Sequence, residues 1–445
     1  MSKAIVPRID IIGLSLMAFG FIFGAGNLIY PSFIGFQSGS DLISSMTGFL
    51  ISSNGLTALA FIAIAKNRGE LTRFLPQQIT MIFTGAIFIT LGPLIAGPRT
   101  ALVTYAMSIK PFISYFLFST AHLSSTHLNS TIDIPQVISI LLFFALAMLF
   151  ALSPGKLIDN IGKKMTPILL CIISVICISV YFLPNKPLLS SVKGSLSFPF
   201  VHGLKTGYAT LDGFCAPVFG SVLLNSMKEK GLTNRQQSHY LIKAAIAATI
   251  ILLIIYVSLF FVGASVSNLA EGATNGGQII SIYTKLHFSF AGELILASVV
   301  LLSCLTTAIG LIVACAELFE QWQSFFSYHQ LVIIVSLLCA LTANIGLDTL
   351  MTLTMPVLTF LYPLVISMVA VTLIQPYLKQ PALTQQLVFI AATIFGLIDC
   401  IETSGFHLFW LEVIPYSQQG MSWILPTVLT IFSCLMLPSK ENLPA

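Results

Sequence analysis

The sequence predicts an all-α polytopic membrane protein with about 12 transmembrane helices. Its 445 residues are 56% hydrophobic and only 8% charged, so a water-soluble surface could not be built from them. Apolar runs of about 18 to 28 residues recur along the chain, and the alternating pattern of an outer-membrane barrel is absent. Because each run is long enough to cross the hydrocarbon core as a helix, an all-α architecture follows.

Charged residues, prolines and glycines divide the chain into the predicted spans. The spans lie at about 10–37, 42–65, 78–108, 134–153, 165–184, 197–227, 237–266, 291–319, 330–346, 349–375, 385–409 and 420–437. Thirteen Lys and Arg residues fall in the segments that a cytoplasmic N-terminus would place inside, and five fall in the opposite segments. This bias predicts a multi-pass protein whose N- and C-termini are both cytoplasmic.

Several classes of function are excluded by composition and motifs. The net charge is +4, but the Lys and Arg are scattered through short loops, so we expect no nucleic-acid partner. The eight cysteines include no CxxC pair, which argues against disulfides and a metal site built from them. No HExxH, GxSxG or Walker A motif is present, so we expect neither an enzyme nor an organic cofactor.

The first span is interrupted by Gly24, Ala25, Gly26 and Asn27. Each glycine costs about 1 kcal/mol in a helix relative to alanine, and asparagine prefers caps and turns. Irregular backbone within hydrocarbon persists only where it lines a cavity, because its polar groups must be satisfied. The stretch therefore predicts a binding site, while a helix-packing face of small residues is an equally open alternative.

The sixth span is interrupted as well, by Gly207, Asp212 and Gly213. A carboxylate that faces lipid costs about 3 kcal/mol or more, so Asp212 is predicted to face a cavity or a partner. The alternative is a structural cap on a nearby backbone end.

Two broken spans that lie five spans apart indicate an inverted repeat. A repeat unit with an odd number of spans crosses the membrane in the opposite direction when it occurs a second time. The predicted repeats are residues 1–190 (spans one to five) and 191–378 (spans six to ten), with 379–445 appended as spans eleven and twelve. In such folds half-helix N-termini point at an anionic substrate group, and unwound carbonyls hold a cation. The predicted ligand is thus small and carries at least one negative group.

Four motifs together resemble a known family. They are Phe23-Gly-Ala-Gly-Asn-Leu-Ile-Tyr-Pro31, Gly92-Pro-Leu-Ile-Ala-Gly-Pro-Arg99-Thr, Gly207-Tyr-Ala-Thr-Leu-Asp212 and Ser303-Cys-Leu-Thr-Thr-Ala-Ile-Gly310. In this order they resemble the branched-chain amino acid:cation symporter family (LIVCS, BrnQ-like). The resemblance implies a LeuT-like 5+5 inverted repeat with broken helices 1 and 6, and Na+-coupled uptake of leucine, isoleucine and valine. This chain departs from the family pattern at two positions. It has Ser32 where the family often has a second proline, and Gly97 where the family usually has a larger apolar residue.

Thr306 and Thr307 offer two adjacent hydroxyl oxygens in span eight. A hard monovalent cation prefers several oxygens without the strong field of paired carboxylates. The resemblance implies that the main-chain carbonyls of Gly20, Phe23 and Ser303 complete a Na+ site, with Na+ as the coupling ion. The alternative is that both hydroxyls donate to the preceding helical turn.

The substrate is expected to lie between the two breaks. Its carboxylate would meet main-chain N–H groups of the first break, and its ammonium would meet carbonyls or polar groups of the second. Tyr105 in span three is expected to close over it, with simple packing as the alternative, and Arg99 is expected to have a structural or gating partner. The predicted substrate-binding residues are Gly24, Ala25, Gly26, Asn27, Tyr105, Tyr208, Thr210 and Asp212.

These features predict a secondary active symporter that imports branched-chain amino acids with Na+ by alternating access in a bacterial inner membrane. The alternatives are a proton- or Na+-coupled permease for another neutral solute, or an ion channel or membrane receptor. A channel would favour a symmetric oligomer with a continuous polar pore, whereas this single chain carries both repeat halves. Two acidic pairs lie elsewhere: Glu317 and Glu320 are expected to face solvent at a cytoplasmic helix end. Asp399 and Glu402 are expected to be interfacial or subunit-facing, with a proton relay as the alternative.

Overall fold

The described part of the chain consists of helices and the loops that connect them. The computed structural model describes residues 10–113, 133–183, 198–270, 272–406, 416–417 and 420–437. Within these residues every regular element is a helix, which confirms the all-α fold class. A helix lies in each of the twelve predicted spans, and several spans contain two helices in succession.

The first five spans contain eight α-helices. They are α1 (Ile11–Ile22), α2 (Ala25–Ser38), α3 (Leu42–Leu50), α4 (Leu56–Lys66), α5 (Gln77–Ile89), α6 (Ala96–Thr104), α7 (Ile134–Ala151) and α8 (Thr166–Phe182). A π-helical segment at Thr90–Leu94 joins α5 to α6, and another at Tyr105–Ile109 follows α6. The first contains Pro93, which has no N–H to donate, so a change in the hydrogen-bond pattern is expected there.

The remaining seven spans also contain eight α-helices. They are α9 (Pro199–Ala209), α10 (Asp212–Glu229), α11 (Asn234–Ser265), α12 (Gly276–Trp322), α13 (Tyr328–Ala343), α14 (Leu347–Ile374), α15 (Pro381–Thr403) and α16 (Ile424–Met436). Helix α12 is kinked at Ser289, where φ is 51°. The segment before this kink therefore points in a different direction from the span after it.

The helix lengths and the outer surface both fit a membrane-spanning protein. In the described ranges, nine helical segments are long and apolar enough to cross a membrane, and three shorter apolar helices accompany them. Large apolar side chains point outward, including Ile12, Ile82 and Leu142, which are 72%, 73% and 67% exposed. A surface of this kind is stable in lipid rather than in water.

Close helix packing positions one half-helix of each broken span. Helix α2 lies against α11, where a Cβ at Gly35 would come within 3.0 Å of Phe260 Cα. Helix α9 lies against α3, where a Cβ at Gly203 would come within 3.1 Å of Phe49 N. Because glycine has no side chain, the backbones can approach this closely. These two contacts fix the half-helices α2 and α9 on which the candidate site is built.

Candidate substrate and ion site

The first break lies between α1 and α2. The chain leaves the helical conformation at Phe23 and Gly24, and α2 begins at Ala25. Helix α2 begins this soon because Asn27 caps its N-terminus. The Oδ1 atom of Asn27 accepts a hydrogen bond from the N–H of Gly24 at 3.1 Å. The predicted break is confirmed, but its predicted extent is wrong, because Ala25, Gly26 and Asn27 form the first turn of α2.

The second break lies between α9 and α10 and consists of Thr210 and Leu211. Leu211 has φ 71° and ψ 6°, a left-handed conformation that costs about 1 to 2 kcal/mol for a residue other than glycine. The predicted unwound stretch, 207–213, is therefore too long. Helix α9 continues through Gly207, whose carbonyl accepts the Thr210 hydroxyl at 2.8 Å, and α10 begins at once with Asp212.

A buried side-chain network joins the two breaks. Asn27 Nδ2 donates to Asp212 Oδ1 at 2.7 Å and also to the Tyr256 hydroxyl. The Tyr256 hydroxyl in turn donates to Asp212 Oδ2. Asn27, Asp212 and Tyr256 are each at most 1% exposed. Both oxygens of the Asp212 carboxylate thus accept hydrogen bonds, one from α2 and one from α11.

The carbonyls at the C-terminal end of α9 accept hydrogen bonds from two other spans. Arg99 on α6 donates from Nη1 to Ala209 O at 3.0 Å and from Nη2 to Thr210 O at 3.4 Å. The Tyr362 hydroxyl on α14 donates to Tyr208 O at 2.7 Å. The partner that we expected for Arg99 is therefore the end of the broken helix α9. These are the carbonyls that we predicted to meet the substrate ammonium.

One of the predicted ion ligands, Thr307, lies next to the end of α1. Thr307 Oγ1 is buried and has no hydrogen-bond partner, and a Cβ at Gly24 would lie 2.9 Å from it. Thr306 donates to Leu302 O and Ser303 O at 3.1 and 3.0 Å, so the back-bonding alternative describes Thr306 and not Thr307. Each hydroxyl oxygen keeps lone pairs that could face a cation.

The end of α1 adds carbonyl oxygens to this group. In an unbroken helix the N–H of Gly24 would donate to Gly20 O, but here it donates to Asn27 Oδ1 instead. The last carbonyls of α1, from Gly20 to Phe23, therefore point past the helix end without an intrahelical N–H partner. Oxygen ligands of this neutral kind suit a monovalent cation, so the residues present fit the predicted Na+.

Two of the predicted substrate residues are tyrosines with other partners. The Tyr105 hydroxyl donates to Asp133 Oδ2 at 2.8 Å, at the N-terminus of α7. Tyr208 stacks on Tyr362 with the ring centroids 4.7 Å apart. In the structure the first turn of α2 thus lies next to Thr210 and Asp212, and Tyr208 lies beside them. The Tyr105 hydroxyl is hydrogen-bonded to Asp133. A role of any of them in substrate binding stays a prediction.

Sequence reasoning missed Tyr256 and Tyr362. Each is a single tyrosine inside an apolar run, at Ile-Ile-Tyr256-Val and Phe-Leu-Tyr362-Pro. A buried tyrosine usually needs a partner for its hydroxyl, which is the one signal the sequence offered. That signal does not name the partner, and both partners lie more than 40 residues away along the chain.

Residues 7–441 match the family model described as "Branched-chain amino acid transport protein". The chain belongs to this family. It is 33% identical over 429 residues to the branched-chain amino acid transport system 2 carrier protein of Pseudomonas aeruginosa, covering 95% of this chain and 94% of that protein. It is 31% identical over 438 residues to the branched-chain amino acid permease BrnQ of Bacillus subtilis, covering 96% of each.

The architecture of this branched-chain amino acid transport family member is shared with solved transporters. The chain is similar to Mhp1, a nucleobase-cation-symport-1 family transporter in a closed conformation, with a TM-score of 0.56 at 10% identity. The likeness covers 96% of this chain and 91% of that one, and it shows the LeuT-like fold alone. The relatives are named as carriers and permeases, so the family is one of multi-pass membrane transporters and not of enzymes.

The two acidic pairs of this transporter lie differently from our expectation. Asp399 is fully buried and accepts a hydrogen bond from the Ser422 N–H at 3.4 Å, so the predicted subunit-facing position is wrong for it. Glu317 is partly buried and accepts a hydrogen bond from Asn225 Nδ2 at 2.7 Å, so it is less exposed than a solvent-facing position implies. Glu320 is exposed, as expected. In both corrected cases a neighbouring span supplied a hydrogen-bond donor that the sequence could not reveal.

Glu317 and Asn225 also line a cavity of about 330 Å³. Its walls come from α4, α5, α10 and α12 and from the segment that contains Arg68. The innermost residues on α10 and α12 are Pro217 and Ala314. Along α10, Pro217 is five residues from Asp212, or about 7.5 Å of helix rise, so the cavity ends short of the two breaks.

Proposed function

We propose that this transporter is a secondary active symporter that imports leucine, isoleucine and valine together with Na+ by alternating access. We place it in a bacterial inner membrane with both termini in the cytoplasm. The relatives are named as branched-chain amino acid carriers and permeases, which supports the substrate class. The observation that carries the proposal is the meeting of two broken half-helices at Asn27 and Asp212, beside the unpartnered hydroxyl of Thr307.

The first turn of α2 supports recognition of a carboxylate. The first N–H groups of a helix have no intrahelical partner and carry partial positive charge. Gly24 N–H already donates to Asn27, which leaves the N–H groups of Ala25 and Gly26 for the ligand. Ala25 and Gly26 have small or absent side chains, so a carboxylate can approach the backbone closely.

The end of α1 supports recognition of Na+. The expected ligands are the carbonyls of Gly20, Phe23 and Ser303 and the hydroxyls of Thr306 and Thr307, all of them neutral oxygens. The ion and the carboxylate would lie on opposite sides of the same two-residue break. Binding of either one would therefore order the backbone that the other needs, which is a physical route to coupling.

The cavity next to Glu317 supports a pathway toward the cytoplasm. It lies beside Arg68, in a loop that the distribution of Lys and Arg assigns to the inside. The packed side chains between Pro217 and Asp212 would form the inner gate. Alternating access then consists of opening that packing while the outer side closes.

A proton-coupled permease is the second candidate, and Asp212 is the observation that favours it. A carboxyl group buried between Asn27 and Tyr256 could carry a proton instead of receiving a Na+ nearby. Intramembrane acids serve proton relays in other transporters. The two candidates share the substrate class and differ only in the coupling ion.

Uptake of labelled leucine into proteoliposomes tests both the Na+-coupled and the proton-coupled candidate. The membrane potential is clamped with potassium and valinomycin, and an inward Na+ gradient or an inward proton gradient is imposed separately. We expect the Na+ gradient at symmetric pH to drive accumulation and the proton gradient without Na+ to give only equilibration. Accumulation by the proton gradient alone would assign the coupling to H+, and no leucine uptake under any gradient would overturn the substrate class.

A further inference from the structure

Arg99 is a buried cation at the point where the two breaks meet. Its side chain is 6% exposed. The ion pairs in the described part of the chain involve Lys163 and Lys285, and none of them includes Arg99. A guanidinium has five N–H donors, and a buried charge is stable only when it is paired or well hydrogen-bonded. Arg99 contacts two main-chain carbonyls and the Tyr30 hydroxyl, and among the described residues no carboxylate pairs with it.

The guanidinium lies between two helix ends of opposite polarity. On one side it donates to the carbonyls of Ala209 and Thr210 at the C-terminal end of α9, where a cation is favoured. On the other side Nη2 faces the first turn of α2, since a Cβ at Gly26 would lie 2.9 Å from it. The N-terminal end of α2 disfavours a cation and favours an anion. An anion between α2 and Arg99 would satisfy both groups at once.

Asp212 is not that anion, although it lies near enough to attract Arg99 electrostatically. Its two oxygens accept from Asn27 and Tyr256 instead. Among the described residues no ion pair joins the two, so Arg99 and Asp212 balance each other in charge while the guanidinium remains free to pair with a ligand. A zwitterion has no net charge, so its binding preserves this balance.

We propose that Arg99 is a binding site for the substrate carboxylate. On binding, the guanidinium gives up the carbonyls of Ala209 and Thr210, pairs with the carboxylate beside Ala25 and Gly26, and leaves those carbonyls to the substrate ammonium. In the present structure Arg99 thus makes the hydrogen bonds that the ammonium makes later. This inference rests on the proposed amino-acid substrate and adds a second, side-chain partner for its carboxylate.

The test compares ligands that share the aliphatic side chain and differ in charged groups. L-Leucine carries both groups, L-leucinamide and isoamylamine keep the amine, and 4-methylpentanoate keeps only the carboxylate. Inhibition of leucine uptake and thermal stabilisation of the purified protein are measured for the parent, Arg99→Gln and Arg99→Lys. Lys205→Gln is the matched control, because it removes a positive charge from an exposed position of the same half-helix α9.

We expect the parent to prefer leucine over leucinamide by about 30-fold or more, the loss typical when a buried charge pair loses one partner. In Arg99→Gln the apparent affinity for leucine falls by a similar factor, whereas the affinity for leucinamide and isoamylamine changes little. The preference for leucine over leucinamide is therefore lost. Arg99→Lys keeps the positive charge but loses the planar guanidinium. Its preference for leucine over leucinamide is expected to lie between those of the parent and Arg99→Gln. Lys205→Gln keeps the parent's preference.

The outcomes separate this inference from the proposed function. If the parent imports leucine and Arg99→Gln keeps the full preference over leucinamide, the inference is overturned and the function stands. If the parent does not import leucine but 4-methylpentanoate stabilises it in an Arg99-dependent way, the function fails and the carboxylate site stands. If the parent does not import leucine and carboxylate-bearing ligands stabilise neither protein, both are overturned. Should Arg99→Gln fold poorly, the comparison of the parent with Arg99→Lys decides, because an unchanged preference there contradicts a bidentate carboxylate site.

Discussion

At the scale of single residues, Asn27 does three things that only an amide side chain can combine. Its oxygen caps the new helix by accepting the N–H of Gly24, and its nitrogen donates to Asp212 and to Tyr256. A carboxylate could not donate, and a hydroxyl could not reach all three partners. The residue that ends the first break therefore also ties it to the second break and to α11.

The hydroxyl of Tyr256 is the part of this network that can be removed with least disturbance. Tyr256→Phe keeps the ring, which packs edge-on against Phe49 with centroids 5.2 Å apart. It takes away one donor to the Asp212 carboxylate, a loss of about 1.5 to 3 kcal/mol for a hydrogen bond to a charged group. We expect leucine uptake to fall about 10- to 100-fold while the protein still elutes as a single peak from size exclusion.

Tyr283→Phe is the control for this variant. It also removes a buried tyrosine hydroxyl, one that pairs with Ser179 at 2.8 Å far from the breaks. Equal losses of uptake in the two variants would mean that the Tyr256 hydroxyl matters only for stability.

Thr307 and Thr306 are expected to respond differently to truncation. The Thr307 hydroxyl has no hydrogen-bond partner among the described residues, so Thr307→Ala removes a potential ion ligand and breaks none of the hydrogen bonds seen there. Thr306 donates to two carbonyls of its own helix and is held in place by them. We expect the Na+ concentration for half-maximal uptake to rise about tenfold or more in Thr307→Ala, on the order of one lost hydrogen bond to an ion, and to rise less in Thr306→Ala.

The measurement is leucine uptake against Na+ concentration in vesicles with a fixed inside-negative potential. Thr249→Ala, which removes a buried hydroxyl bonded within α11, serves as the control. An unchanged Na+ dependence in both Thr306 and Thr307 variants would show that the ion binds elsewhere.

At the scale of elements, the sequence predicts where helices break better than how long each break is. Glycines and Asn27 in one span, and Gly207, Asp212 and Gly213 in another, mark both positions correctly. The extents are wrong because the helix resumes within two residues at each break, by side-chain capping from Asn27 at the first and through the left-handed Leu211 at the second, and composition gives neither the caps nor φ and ψ. Tyr256 and Arg99 acquire their roles only through spans packed across the bundle, which no local pattern encodes.

Helix α2 is held against α11 by backbone contact at Gly263. A Cβ there would lie 2.8 to 2.9 Å from Ser32 C and Phe36 N, both main-chain atoms that cannot rotate away. Gly263→Ala should therefore separate the two helices and destabilise the protein by about 1 to 3 kcal/mol, the usual cost of overpacking. The measured quantity is the temperature at which the detergent-solubilised protein aggregates.

Gly55→Ala is the matched control in another span. The nearest atom to a Cβ at Gly55 is Leu50 O at 3.6 Å, an ordinary contact, and alanine favours helix. We expect the aggregation temperature to stay the same or rise. A Gly263→Ala protein as stable as the parent would contradict the account of how α2 is positioned.

At the scale of the whole molecule, charge is arranged so that the interior stays near neutral. Arg99 lies near enough to Asp212 to attract it electrostatically, while most Lys and Arg lie in the loops that we assign to the cytoplasm. In the proposed mechanism, the cavity beside Glu317 is the inner part of the path, and the packed side chains between Pro217 and Asp212 separate it from the two breaks. A neutral interior allows a zwitterion to enter without adding charge, so any net charge that moves must come from the coupling ion.

The last prediction follows from that charge balance. If one Na+ accompanies one zwitterionic amino acid, each cycle carries a single positive charge inward and uptake is electrogenic. The membrane potential is worth about 2.3 kcal/mol per charge per 100 mV, and 1.36 kcal/mol corresponds to a factor of ten in an equilibrium constant. A potential of about 100 mV, inside negative, should therefore sustain roughly 50-fold accumulation of leucine with equal Na+ on both sides. Proteoliposomes with potassium-set potentials measure this directly, and accumulation should rise about tenfold for each additional 60 mV. Accumulation that does not change with potential would mean that no net charge moves, and a slope twice as steep would mean that two Na+ ions are bound for each substrate.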